Sequence, residues 1–209
     1  MPTTTSTDGA LFIQRIASER VLIPIVGTSP LIMNKFSEKA KRQMLDAMQG
    51  KKKLKESRDP DADFEAALHR IGDDKYGFPS GGFKKTIVGA ARYFGKQVKM
   101  TELRQSVFVK GVLTPSDPQI LTEIVGQPEM REDVVRLGIS GTDLRYRPEF
   151  WPWSAVLDVV YVTTMLTLDS VLSLVDAGGM GVGIGEWRPE KSGDNGTFAI
   201  DEKKIEVVS

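Results

Sequence analysis

The sequence predicts an α+β fold: an antiparallel sheet of split-βαβ type with two helices covering one face. Two observations carry this. Two amphipathic helical patterns, each joined to a glycine-rich segment, stand about ninety residues apart: GFPSGGFKKTIVGAARYFG from Gly77 and LDSVLSLVDAGGMGVGIGEW from Leu168. With insertions set aside, the chain reads strand, helix, strand, strand, helix, strand. At 209 residues it can bury a core as one domain over 20–209, behind a polar, low-complexity stretch at 1–19 that reads as a flexible tail.

The elements follow from local chemistry. Arg20 to Val26 is apolar and β-branched, as a buried strand requires, and Pro24 within it calls for an edge or a bulge. A helical insertion is expected at about 35–75. Ser37 caps its first helix, whose Ala40, Met44, Ala47 and Met48 share a face and which stops at Gly50. Asp59-Pro60 opens its second, with Phe64, Ala67, Leu68 and Ile71 as the apolar stripe.

Pro79 and the small residues Ser80, Gly81 and Gly82 then lead into a helix with Phe83, Ile87, Ala91 and Phe94 inward and Lys85, Arg92 and Lys96 outward. Gln105 to Leu113, Glu132 to Leu137, Thr142 to Tyr146 and Ser154 to Val162 read as strands, separated in part by a Pro- and Gly-rich stretch. Thr167 caps a helix with Leu168, Val171, Leu172 and Val175 inward; Gly178-Gly179 ends it, and a strand is expected over Val182 to Trp187. Thr197 to Ile200 closes the sheet. The order is the ferredoxin-like one.

Composition narrows the chemistry. Lys+Arg and Asp+Glu balance at 28 each, so an anionic partner is met locally or not at all. The local feature is 35–58, with nine basic residues against three acidic, concentrated in KKKLKESR: Lys51, Lys52, Lys53 and Lys55. Lys84, Lys85 and Arg92 form a possible second basic row. RYRPEFWPW interleaves Arg145 and Arg147 with Tyr146, Phe150, Trp151 and Trp153, the combination that stacks on exposed bases. Gly181, Gly183 and Gly185, followed by Arg188, offer a backbone without side chains that can approach phosphate oxygens. Each signal has a plain structural counterpart: a tight turn for the glycines, burial or a subunit contact for the tryptophans, a solvated face for the lysines.

Catalysis finds little support. Cysteine is absent, which removes disulfides and thiolate sites, and no apolar run is long enough to span a bilayer; a reducing, cytoplasmic setting is the natural expectation. His69 is the sole histidine and reads as a surface residue of the second insertion helix, paired with Glu65 one turn away. Asp59, Asp61 and Asp63 sit where a helix dipole favours negative charge, and no phosphate-loop or dinucleotide fingerprint occurs. We expect no cofactor and no metal.

Three segments resemble the RAMP superfamily, the RRM-like proteins that include backbone subunits of CRISPR effector complexes. They are a first strand ending in GTSPLIM, the helix entry GFPSGGFKKTIVGAAR, and GGMGVGIGEW, which looks like that family's terminal glycine-rich loop. The resemblance covers the outer strands and both core helices but not the 35–75 insertion. It departs from the family between Met180 and Gly185, where no basic residue precedes Arg188. The whole chain also resembles small proteins of tailed-phage genomes. The resemblance implies a non-catalytic protein that binds single-stranded nucleic acid, RNA or DNA, as a homo-oligomer along the strand. The alternative is a phage-encoded interaction module that engages a host defence or replication complex.

Overall fold

The computed structural model describes residues 13, 15–51, 58–137, 141–202 and 205–208. Its strands are β1 (Ser18–Gly27), β2 (Leu31–Ile32), β3 (Arg70–Gly72), β4 (Lys75–Pro79), β5 (Val107–Val109), β6 (Val112–Thr114), β7 (Asp117–Val125), β8 (Pro128–Leu137), β9 (Gly141–Phe150), β10 (Ser154–Val162), β11 (Phe198–Ile200) and β12 (Glu206–Val208). The α-helices are α1 (Glu38–Met48), α2 (Pro60–Ala66), α3 (Ser80–Gly89), α4 (Met100–Ser106) and α5 (Leu168–Gly181), with 3₁₀ turns at Ala90–Gln97 and Pro189–Lys191.

The main sheet runs β11-β1-β10-β7-β4-β3, with β12 also beside β1, β5 beside β10 and β6 beside β7. β1 and β7 both pair antiparallel with β10, so they are parallel to each other with β10 between them. β10 and β11 flank β1 in the same way. Two interleaved split βαβ units result, one through α3 and one through α5, which is the expected ferredoxin-like α+β fold.

The core lies between the sheet and those two helices. Val21, Ile23 and Ile25 of β1 alternate inward with Ala155, Leu157, Val159 and Tyr161 of β10, under Phe83 and Ile87 of α3 and Val171, Leu174 and Val175 of α5. Each fully buried branched side chain contributes roughly 1.5–3 kcal/mol relative to exposure. The opposite face of the sheet is open. Val26, Val125, Val156 and Phe108 are exposed there, and Arg20 reaches across to Asp158 at 2.7 Å.

Pro24 sits inside β1, in neither a bulge nor an edge. Its carbonyl accepts from the Asp201 amide, so its ring nitrogen faces the same flank. There β11 covers 25–27 and β12 covers 20–22, and proline occupies the gap between them, where no N–H is needed.

Several expectations change. The strand expected at Gln105 to Leu113 is divided between the end of α4, β5 and β6, while β7 supplies the sheet position beside Ser154 and Ala155. Residues 70–79 form a β3–β4 hairpin on the sheet edge rather than a bare lead into α3. α5 does not end at Gly178-Gly179 but continues to Gly181, and Val182 to Trp187 is a loop, not a strand. The glycines let α5 lie against its neighbours: a Cβ on Gly178 would stand 2.8 Å from the Thr86 carbonyl oxygen of α3, and one on Gly179 would overlap Phe198 of β11. Close packing here outweighs glycine's low helix propensity.

The expected strands at 132–137 and 142–146 are parts of one long hairpin, β8–β9, in register from Pro128 opposite Phe150 to Leu137 opposite Gly141, and β2 adds to its base. Among the described residues no helix is long and apolar enough to cross a membrane.

Candidate nucleic-acid interface

The two glycine-rich segments of the sequence pack against each other. The Thr86 hydroxyl reaches the Gly183 carbonyl at 2.9 Å, a Cβ on Gly89 would touch Val182, and one on Gly181 would overlap the Tyr93 hydroxyl. Gly183 and Gly185 have φ of 67° and 76°, conformations that cost other residues energy, and a Cβ on Gly185 would lie 2.5 Å from the Ile32 carbonyl oxygen. The loop's amides are mostly spent inside the protein: Val182 and Gly183 donate to Gly178, Ile184 to Gly196 and Glu186 to Ile32. Gly181, Gly183 and Gly185 thus shape the loop, and its charge comes from side chains around it.

Those side chains converge on Glu190. Arg188 donates to it at 2.8 Å and also holds the Gly185 carbonyl at 3.0 Å, while Arg92 approaches from the turn after α3 at 3.8 Å. The Arg188 hydrogen bond draws the Glu190 carboxyl below its ordinary pKa. Tyr93 and Trp187, next to these arginines in sequence, are exposed, Trp187 at 49%. Trp187 has φ of 55°, an outlier for a bulky residue, stabilised where its carbonyl accepts from Asn195 at 3.0 Å. Lys85 on α3 is exposed, as is Arg92 in the 3₁₀ turn that follows. Lys84 is half-buried with its ammonium 4.4 Å from the centre of the Phe108 ring, and burial lowers its pKa.

The hairpin places its candidates differently. On one face, Glu129, Arg131, Asp133 and Val135 stand opposite Glu149, Arg147, Arg145 and Asp143. Arg145 approaches Asp143 at 3.7 Å and Arg147 approaches Asp133 at 3.4 Å, so both guanidiniums belong to a compensated ladder. Arg147 is only 5% exposed, and its Nε lacks a hydrogen-bond partner. Tyr146 is half-buried, and desolvation followed by its bond to Glu132 raises its pKa.

Trp153 corrects the stacking expectation. It is buried against Gly27 and Phe198 with Nε1 donating to the Ser29 carbonyl at 2.8 Å, which leaves no ring face for a base. Trp151 is 51% exposed at the hairpin base. Lys51 is exposed and pairs with Asp46 at 2.9 Å; Lys52, Lys53 and Lys55 lie outside the described residues.

His69 is also corrected. α2 ends at Ala66, and His69 follows it into the interior at 4% exposure, where Nδ1 meets Asp117 Oδ2 at 2.6 Å; Glu65 pairs with Arg70 instead. Lys35 joins the same carboxylate at 2.9 Å. Burial holds the His69 pKa below its ordinary value, against the pull of Asp117. For Asp117, burial pushes upward, but bonds from Lys35, His69 and the Gln119 amide bring the carboxyl below its usual range. Sequence gave no cue to this cluster, whose members are far apart in the chain. Among the described residues no three potential metal ligands gather.

No family model matches this chain, and no curated protein matches it. Among solved structures, the crystal structure of Cmr6 from Pyrococcus furiosus is similar at 10% identity, with a TM-score of 0.42, over 89% of this chain and 100% of that one.

Proposed function

We propose that this protein binds single-stranded nucleic acid, RNA or DNA, without catalysing a reaction, and that copies of it coat the strand. The strand crosses the surface where the two glycine-rich segments meet. Lys85, Arg92 and Arg188 neutralise phosphates there, and Trp187 and Tyr93 present ring faces to bases. The observation that carries the reading is Trp187: a large aromatic side chain left half in solvent, on strained backbone, beside an arginine. Strain of this kind costs on the order of 1–3 kcal/mol and collects at ligand contacts. The family resemblance read from the sequence points the same way. The sheet's open face takes no part, because Leu22, Pro24, Val156 and Val160 carry no aromatic ring and the Phe108 ring beside Val160 is already engaged by the Lys84 ammonium at 4.4 Å.

Fluorescence anisotropy with labelled single-stranded RNA and DNA across a salt series tests this. Trp187→Ala is expected to weaken binding by roughly 1–3 kcal/mol without changing the melting temperature. Arg92→Glu with Arg188→Glu should flatten the salt dependence. Glu190→Gln is the more discriminating change, because it releases both arginines and should tighten binding. If wild-type protein binds neither oligonucleotide at low salt, or Glu190→Gln leaves affinity unchanged, the assignment of this surface fails.

A further inference from the structure

The chain enters β1 next to an apolar cleft, carrying apolar side chains that nothing covers. Ile13 and Ile16 are 77% and 75% exposed, among the most exposed large apolar side chains of the described residues. Arg15 between them is exposed and forms no ion pair among the described residues.

The cleft, of about 410 Å³, lies between α4, the turn before it and the start of α5. Phe94, Val98, Leu103, Leu166 and Leu174 form its apolar wall, and Met165, half in solvent, also lines it. Its volume falls in the range of roughly 300–1,000 Å³ typical of sites that enclose several apolar groups. Of its two carboxylates, Glu102 is taken by Lys99 at 2.9 Å, whereas Asp169 has no ion pair among the described residues.

Topology sets the two side by side. The Thr163 amide donates to the Ala17 carbonyl at 3.1 Å, and Ser18 stands opposite Val162. Met165 and Leu166 follow at once, folded back by their amides, which donate to the Val162 carbonyl at 3.1 and 3.0 Å. Ile13 lies four residues before Ala17, so extended chain gives it a reach of about 13–14 Å from that anchor. Packed layers stand about 10 Å apart, and the reach therefore carries the segment from the end of the sheet to the helices above it.

We propose that the chain before β1 is a strap that folds over the end of the sheet and seats Ile13 and Ile16 in the α4–α5 cleft of the same molecule, with Arg15 at Asp169. The exposed isoleucines are its open position. Because Asp169 is exposed, its pairing with Arg15 fixes the strap's orientation and the apolar contact holds it. The tether selects the occupant: a segment rooted at the cleft acts at roughly millimolar effective concentration, which a separate molecule does not match. Phe94 and Gln97 line the cleft and share their turn with Arg92 and Tyr93, so a seated strap also steadies the turn beside the proposed nucleic-acid surface. The seating itself does not rest on that reading.

The experiment exploits the absence of cysteine from the sequence. In full-length protein, Ile13→Cys is combined with Ser173→Cys, at an exposed position lining the cleft. The reference pairs Ile13→Cys with Val207→Cys, exposed on β12, which flanks β1 on the side away from β10. Cysteine is itself a small apolar residue and keeps part of the Ile13 contact. Disulfide formation in oxidised glutathione is followed on non-reducing gels, on dilute nuclease-treated protein. The Ser173 pair is expected to close within one molecule at least about tenfold faster than the Val207 pair. Adding Arg15→Glu and Ile16→Asp should bring its rate down to that of the Val207 pair, with the near-ultraviolet circular dichroism unchanged. Similar rates for the two pairs overturn the proposal, as does a rate that the added charges leave unaltered. A disulfide that joins two molecules also overturns it, assigning the cleft to a second copy's strap.

Discussion

α1 and α3 are helices of eleven and ten residues, both amphipathic in sequence, yet α3 buries Phe83, Thr86, Ile87 and Val88 while α1 buries nothing. The sequence pattern states that a helix has an apolar face and says nothing of whether its own chain supplies the cover. α3 is placed by its neighbours: the Ser80 hydroxyl bonds Thr122 of β7 at 2.8 Å, and Gly178 of α5 lets the two helices touch. α1 hangs in an insertion and holds its shape through the Ser37 cap, which accepts from the Ala40 amide at 3.1 Å.

Mutations sharpen this contrast. The largest effect is expected for Phe83→Ala, about 3–5 kcal/mol of lost stability in urea unfolding. Gly178→Val comes next, at about 1–3 kcal/mol, since its side chain would meet backbone of α3. Loss of activity in either would then follow from unfolding. Ser37→Ala should cost about 1 kcal/mol of α1 stability, visible as faster amide exchange within α1 and little else. Met44→Ala should change the monomer's stability by less than about 0.5 kcal/mol. A core-sized loss at Met44 would mean that α1 is packed on its own molecule and would break the comparison.

Acid provides another probe, aimed at the join between the insertion and the sheet. Because the folded pKa of His69 is lowered, the unfolded chain takes up its proton first. Stability is therefore full above about pH 6.5, falls as pH drops below it, and levels once pH passes the folded value. Asp117 is also lowered, so a further loss follows as pH falls through the carboxylate range. Urea unfolding between pH 7.5 and 5 should show the first decline in wild type and a flatter profile in His69→Gln. A decline of equal size in both would place its origin elsewhere.

Local signals were legible and distant ones were not. The caps at Ser37, Asp59 and Thr167 were readable because each is a side chain bonding an amide three residues on, and all three form. The strand and helix order gave the ferredoxin-like arrangement for a similar reason. β7 is hard to read from sequence because Pro118 interrupts it near its start and its burial does not alternate regularly. The end of α5 is hard to read because two glycines look like a stop until Thr86 and Phe198 are seen against them. Of the candidate site, Arg92 and Arg188 were singled out separately, but their shared Glu190 and the exposure of Trp187 depend on the fold bringing 92 and 190 together. Trp151 and Trp153 look alike in sequence; only packing distinguishes them.

Lys35 and His69, at the two ends of the insertion, grip one carboxylate, and the Lys35 amide bonds the Ala67 carbonyl at 3.0 Å. The chain leaves the sheet and returns at the same place, with a second tie where Arg58 meets Asp143 of β9 at 2.7 Å. Doubling the length of such an excursion costs only about 0.6 kcal/mol of closure entropy. Length changes within the excursion are therefore expected to leave the sheet and its two covering helices in place.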